Sequence, residues 1–281
     1  VNNISKAIRS IIGPSVVRRS RLALQDIPDY AKDLKQQKIQ LVIPNDPEEL
    51  TYDLSQMKDL YLNTLDRISK SEGSTDNITR FKAARYSPVL YVKEDMREQL
   101  AQELEEKTGI KFGLLIGRQT NVSSFMRHLL VSRFESSMAA FQTSLGYMIQ
   151  SAEHLLTWID KRHKIPVYKK GNLPEVDDFY TDDGMEEIQE TFDKYESRGF
   201  FEIDMKYVED NFIEDVKTDI HLLQSLREEW FGKENVIKQD PKLDSFIEIA
   251  KKKLEQEPER KLIVFSEYAD TVDYLGKKLV E

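Results

Sequence analysis

The chain has 281 residues, of which 40% are apolar, 32% are charged and none is cysteine, and its formal net charge is −9. This length allows one large or two ordinary domains, and many charges with only 11 Gly and 9 Pro favour a mostly helical fold. The lack of cysteine excludes disulfides and thiolate metal sites, and no apolar run approaches the roughly 18–20 residues of a transmembrane helix. We therefore expect a cytoplasmic protein without a membrane partner.

The charge is unevenly distributed along the chain. Residues 1–44 hold eight Lys and Arg against three Asp and Glu, whereas residues 175–219 hold four against seventeen. A basic segment can face phosphate groups, whereas an acidic segment cannot do so directly. The acidic segment has two interpretations, a solvated helical face or a docking surface for other proteins.

The N-terminal quarter of the chain predicts helices around one strand. Helical spacing covers residues 3–12 and resumes after Val17 to about Leu34. Residues 38–44 contain β-branched side chains and end at a proline, which predicts a strand. Residues 45–49 then combine a cap residue, a proline and acids, which predicts the start of a helix that continues to about Ile68.

Helices dominate the middle of the predicted structure. Residues 94–107 predict a solvent-facing helix closed by a glycine, and residues 122–162 carry a wide apolar stripe that predicts one helix about 60 Å long. Residues 164–183 predict a loop because they contain prolines, a glycine and paired acids. Helices are predicted again at residues 185–197 and 205–231.

The C-terminal segment predicts the opening unit of a parallel α/β domain. Asp240 begins a predicted helix, and the apolar run 261–265 predicts a buried strand. Ser266, Glu267 and Tyr268 follow this run, at the strand end where ligands gather in open parallel sheets, and a helical pattern begins directly after them. Because a lone strand has no sheet to pair with, we expect the chain to be cut within a domain.

No enzyme motif is complete in the sequence. There is no G-x-x-x-x-G-K-[ST] loop for phosphate, no D-E-x-H box, and the four His lack metal-ligand spacing. No Ser, His and Asp arrangement for nucleophilic catalysis stands out. We therefore predict no catalytic residue and no metal site.

A basic cluster, Arg18, Arg19 and Arg21, lies near the N-terminus. Guanidinium groups suit phosphates, but they equally bridge acidic residues in an interdomain joint. The composition favours the second interpretation, in which these arginines bridge acidic residues in an interdomain joint.

A polar patch containing Arg133, Ser136 and Ser137 interrupts the apolar stripe of the longest predicted helix. Arg133 and Ser137 are four residues apart and therefore share a helix face. The patch is either a surface face with an internal ion pair or a contact to a neighbouring domain or a nucleic-acid backbone.

Four parts of the chain, taken in order, resemble one family. They are Val16–Arg21, Leu50–Tyr61 with Gln56, Leu129–Phe141, and Asp240–Leu243 followed by Lys261–Tyr268. They resemble, respectively, the block that leaves the first RecA-like lobe, the helix after it, the enlarged helical insertion of a bacterial subgroup, and the entry to the second lobe with its motif IV. The family is the Swi/Snf-type branch of superfamily 2 ATP-dependent helicases and DNA translocases.

This resemblance implies a fold and a division into domains. The expected fold is mostly α, an elongated helical bundle or insertion domain with a short C-terminal β-α unit that begins a truncated RecA-like lobe. Residues 1–44 would leave the first lobe, residues 45–239 would form the helical insertion, and residues 240–281 would start the second lobe.

The resemblance also implies a function for the parent protein. The parent would bind ATP and Mg, hydrolyse ATP and move along duplex DNA, whereas this chain would hold no cofactor and hydrolyse no ATP itself. Its helices would couple lobe movement to the DNA. The junction between lobe and insertion would contain Arg18, Arg19 and Arg21.

Six residues are the expected nucleic-acid contacts under this resemblance, and they position the backbone rather than read sequence. They are Ser266, Glu267, Tyr268, Arg133, Ser136 and Ser137. The alternative function is a helical protein–protein interaction module that uses the acidic 175–219 stretch as its docking surface. Salt-sensitive affinity for duplex DNA would favour the first function, and binding only to basic proteins would favour the second.

Overall fold

The computed structural model describes residues 10–11, 23–39, 46–54, 57–69, 78–168, 200–259 and 261–280. The chain forms two compact units, residues 1–50 and 51–281. The described part is mostly helical with one small antiparallel sheet, which confirms the predicted fold class at that level. The domain boundaries after residues 44 and 239 stay predictions.

In the first unit, residues 23–39 form two short helices. Helix α1 spans Ala23–Asp26 and α2 spans Pro28–Gln36, with Ile27 extended between them. A proline opens α2, where its fixed φ suits the first helical turn. Most of the predicted helix at 3–12 and most of the predicted strand at 38–44 lie outside the described residues, and the described part of that helix, residues 10–11, is helical.

The second unit contains the longer helices. Its chain order is α3 Lys58–Ser69, α4 Arg97–Thr108, α5 Phe112–Ser136, α6 Met138–Arg162, α7 Asn211–Phe231, α8 Pro241–Gln256 and α9 Ala269–Val280. Gly109 ends α4 in the left-handed conformation, with φ of 71°, as the sequence predicted. Asp240 caps α8 by accepting the Leu243 N–H at 3.0 Å, so that predicted helix start is also confirmed.

The predicted helix start at residues 45–49 is wrong. The described residues 46–54 are not helical, and α3 begins only at Lys58. Cap residues start a stable helix only where the helix also buries an apolar face. Leu50 is 51% exposed, whereas Ile68 near the end of α3 is fully buried. The helix therefore forms where its apolar side chains reach the core.

The predicted single helix over residues 122–162 is also wrong, because two helices cover this region. Helix α5 ends at Ser136 and α6 begins at Met138, and Ser137 between them is extended, with φ −160° and ψ 159°. The two helices pack against each other. Each has 25 residues and is therefore about 37 Å long instead of the expected 60 Å.

An antiparallel sheet forms where the sequence predicted a loop. Strand β1, Lys164–Tyr168, pairs with β2, Phe200–Asp204, in the register that sets Lys164 opposite Asp204. Ile165, Val167 and Ile203 are buried, which explains why these short segments form strands at all. Residues 169–199, which include the predicted helix at 185–197, lie outside the described residues.

Aromatic side chains fill the core beside the break between α5 and α6. Phe134 lies at the centre, with its ring centroid 4.8 Å from Tyr61, 4.5 Å from Phe141 and 5.1 Å from Trp230. The Trp230 indole N–H donates to the buried hydroxyl of Thr64 at 2.8 Å. This contact joins α3 to α7, so the two helices and the hairpin of α5 and α6 share one core.

The predicted C-terminal strand does not form. Residues 261–266 have no β pairing in the described structure, and Ile263 and Phe265 are 77% and 90% exposed. The physical reason is that no other described strand lies beside this segment to accept its backbone hydrogen bonds. The helix expected after it is confirmed as α9, whereas the RecA-like lobe stays a prediction.

Candidate functional site

Ser137 organises the helix break at which the candidate site lies. Its hydroxyl oxygen accepts the Ala140 N–H at 3.1 Å and so caps the N-terminus of α6. At the other side of the break, Lys242 of α8 donates to the carbonyl oxygens of Glu135 at 2.6 Å and Ser136 at 3.0 Å. These carbonyls end α5 and would otherwise lack partners, so a cation there is favourable.

Arg133 joins three helices at this point. Its guanidinium forms an ion pair with Asp270 in the first turn of α9, and its Nε donates to the Ser144 hydroxyl of α6 at 2.8 Å. The guanidinium also lies over the ring of Tyr268, 4.6 Å from the centroid, which is a cation–π contact. The Arg133 side chain is only 14% exposed, so its charge is used within the protein.

Hydroxyl groups complete the contact between α9 and the break. The Thr271 hydroxyl lies 2.9 Å from that of Ser136 and 2.8 Å from that of Ser137. The Tyr268 hydroxyl donates to the Ser132 hydroxyl at 2.8 Å. We call the whole set of contacts between residues 132–137 and residues 268–271 the Arg133 joint.

Asp240 adds a second link to α9. Its carboxylate caps α8 and also accepts a hydrogen bond from the Tyr274 hydroxyl at 3.2 Å. Burial raises the pKa of Asp240, and the two hydrogen bonds oppose that shift. The start of α8 and the middle of α9 are therefore tied to each other beside the joint.

The structure brings together four of the six predicted contact residues: Arg133, Ser136, Ser137 and Tyr268. Of the other two, Ser266 accepts the Tyr268 N–H at 3.2 Å and Glu267 is exposed to solvent. The patch forms an ion pair within the chain, between Arg133 and Asp270. A role in binding nucleic acid stays a prediction.

Several residues in and around the joint were not predicted as site residues. Asp270, Thr271 and Ser144 contact the predicted residues, and Lys242 and Asp240 lie next to them. The one available signal was that Asp270 and Thr271 begin an amphipathic helix. The predicted junction residues Arg18, Arg19 and Arg21 lie outside the described residues.

The described part of the acidic stretch uses most of its carboxylates internally. Glu202 pairs with Arg162 at 2.9 Å, Asp204 caps a short 3-10 turn, and Asp215 pairs with Lys82 at 2.9 Å. Exposed acids in this part are Glu209, Asp210 and Glu214. Docking of other proteins on the described part of this stretch would therefore involve only these three carboxylates.

Asp219 is a buried carboxylate on α7, away from the joint. It is 3% exposed and accepts the backbone N–H groups of Lys82 at 2.7 Å and Ala84 at 2.9 Å. Burial raises its pKa from 3.8 to about 7, and the carboxylate of Asp215 adds to the shift, whereas the two backbone bonds and Lys82 oppose it. Asp219 therefore anchors the loop that precedes the Ala84–Tyr86 turn against helix α7.

Two further properties bear on the predicted partners. In the part of the chain that the structure describes, no helix is both long and apolar enough to span a bilayer. Within the same residues, no three His, Asp or Glu side chains converge in an arrangement that could hold a metal ion. Comparisons with protein-family models, curated proteins and solved structures found no match to this chain.

Proposed function

We propose that this chain is the helical coupling region of a DNA-dependent ATPase of the Swi/Snf type, placed between two nucleotide-binding lobes. One observation carries the proposal. An exposed, largely apolar segment, residues 261–265, is followed after three residues by α9, which is held to the helical core by the Arg133 joint. In the proposed parent protein this segment is the strand of a sheet that other residues complete.

The chemistry of residues 261–265 supports this role. Both faces of the segment are apolar, since Leu262 and Val264 alternate with Ile263 and Phe265. Strands that are buried on both sides of a parallel sheet have such continuous apolar runs, whereas strands with one solvated face alternate with polar residues. The exposure of Phe265 is therefore expected to disappear when a sheet forms around it.

Under the proposal, this chain contains no ATP site of its own. The sequence lacks the glycine-rich phosphate loop and the acidic box of such ATPases, and no three acids or histidines converge in the described part. Under the proposal, the chain transmits movement and other parts of the parent protein hold ATP and Mg. No step of ATP hydrolysis is assigned to these residues.

The test is ATP hydrolysis, measured with and without duplex DNA, by this chain alone and by the same chain joined to the two lobes. The proposal predicts no turnover by the chain alone and DNA-stimulated turnover by the longer protein. Turnover by the chain alone would overturn the proposal, because it would require an ATP site within these residues.

A binding measurement separates the proposal from the interaction-module alternative. Affinity for duplex DNA that falls steeply with added salt supports the proposal, because each phosphate contact releases counterions. Binding to basic proteins without binding to DNA would instead assign the function to acids such as Glu209 and Glu214, which are exposed. The variant with both acids changed to Gln would then lose that binding.

A further inference from the structure

We propose that the Arg133 joint is a releasable latch: when its polar contacts break, residues 261–280 leave α5 and α6 while the helical core stays folded. This inference rests on the proposed function, since it identifies the element whose two positions would carry the coupling. It goes beyond that function because it assigns the switch to particular side chains.

The contacts that hold α9 are mostly polar. They include the ion pair of Arg133 with Asp270, the hydroxyl contacts of Thr271 and of Tyr268 just before the helix, and the hydrogen bond from the Tyr274 hydroxyl to Asp240. Of the α9 side chains that the structure describes, only Thr271 is buried, whereas Val272 and Leu279 are 48% and 51% exposed. A contact of this composition resembles the polar interfaces between domains that move relative to each other.

The main core does not depend on α9. Its buried side chains come from α3, α4, α5, α6, α7, the sheet and the turns between them, and none of the described residues after Ile237 belongs to it. Separating α9 from the hairpin would therefore expose little apolar surface. Since burial of apolar surface is the main favourable term in folding, the free energy of release is small compared with that of global unfolding.

The hairpin side of the joint keeps partners after release. Arg133 retains its hydrogen bond to Ser144, and Ser137 still caps α6 through Ala140. Buried polar groups without partners are costly, so a surface that satisfies its own groups after separation lowers the cost of opening. The joint thus has two satisfied arrangements, closed and open.

The test is amide hydrogen exchange on this chain, in wild type and in Asp270→Asn. The substitution removes the negative charge and keeps the side-chain size. We expect amides of α9 to exchange about ten-fold faster, which corresponds to a loss of about 1.4 kcal/mol in the free energy of opening, while amides of α6 and α7 keep their protection. Thr271→Val, which replaces the hydroxyl with a methyl group of similar size, is expected to act in the same direction.

Two controls define the outcome. Glu234→Gln breaks an exposed ion pair with Lys238 outside the joint and is expected to leave α9 exchange unchanged, and Asp270→Glu, which keeps the charge, is expected to restore most of the protection. Unchanged α9 exchange in Asp270→Asn would overturn the latch. Equal acceleration in α9, α6 and α7 would also overturn it, because α9 would then unfold only with the core.

The readout involves neither ATP nor DNA. If release occurs but the longer protein shows no DNA-stimulated hydrolysis, the proposed function fails and the latch stands. If hydrolysis is stimulated but α9 is never released separately, the latch fails and the proposed function stands.

Discussion

The buried carboxylate of Asp219 makes the stability of this fold depend on pH. Its pKa is about 7 in the folded protein, against 3.8 as the reference, chiefly because the side chain is buried. Between these two values the folded state holds a proton that the unfolded state has released. Stability from this group is therefore highest at low pH and falls as the pH rises toward about 7.

The magnitude follows from the size of the shift. One pKa unit corresponds to about 1.4 kcal/mol, so the difference between 3.8 and about 7 gives at most about 4 kcal/mol between pH 4 and pH 8. Other groups also titrate over this range. The contribution of Asp219 is isolated by subtracting the free energy of unfolding of Asp219→Asn from that of the wild type at each pH.

Asp219→Asn removes the titration but keeps one of the two acceptors for the Lys82 and Ala84 N–H groups. We expect the wild type to exceed the variant in stability by the largest amount at pH 4 to 5, and this excess to shrink as pH rises to 8. The assay is urea unfolding followed by far-ultraviolet circular dichroism at several pH values.

Asp210→Asn is the matched control, because it changes an exposed carboxylate just before the same helix, α7. Its difference from the wild type should not vary with pH in the same way. The difference in free energy of unfolding between wild type and Asp219→Asn could instead stay constant from pH 4 to 8 or grow with pH. Either result would contradict a raised pKa of Asp219 in the folded protein.

Three further predictions concern single side chains. Thr64→Val leaves the buried Trp230 indole N–H without its acceptor and should lower the free energy of unfolding by about 1–3 kcal/mol in urea titrations, whereas an unchanged midpoint would contradict that contact. Ser137→Ala removes the cap of α6 and should lower the free energy of unfolding by about 1–2 kcal/mol in the same assay. An unchanged free energy of unfolding would contradict a stabilising role of the cap. Phe265→Lys should change the free energy of unfolding by less than about 0.5 kcal/mol, because the side chain is 90% exposed. The variant should also show less self-association in sedimentation velocity. A large loss of stability would mean that the side chain is buried.

The sequence indicated which helix face carries polar residues within an otherwise apolar stripe. Arg133, Ser136 and Ser137 stand out because they interrupt an apolar stripe, and in the structure they contact residues of α9. Their partners Asp270 and Thr271 are more than 130 positions away, and the helical pattern that begins there does not indicate what they contact. Pairing of this kind is decided by how helices dock, which periodicity does not report.

The break at Ser137 shows a second limit. Phe134 and Phe141 are seven residues apart and contact each other in the core, so the apolar stripe continues in phase across the break. Periodicity therefore predicts one helix where there are two. The local signal was the pair Ser136-Ser137, since serine favours helix N-caps over helix interiors.

The C-terminal strand shows a third limit, in the opposite direction. Residues 261–265 have strong strand character, yet they form no strand because a strand needs a neighbour to share its hydrogen bonds. The strands that do form, β1 and β2, come from segments with a proline and acidic residues. Tertiary contacts with the core outweigh local propensity in both cases.

The most direct test of coupling is DNA-stimulated ATP hydrolysis by the chain joined to its two lobes, compared between wild type and Asp270→Asn. We expect hydrolysis without DNA to be unchanged and stimulation by duplex DNA to be reduced in the variant, because the joint that transmits movement is weakened. Equal stimulation in both proteins would contradict the claim that these helices couple the lobes through the Arg133 joint.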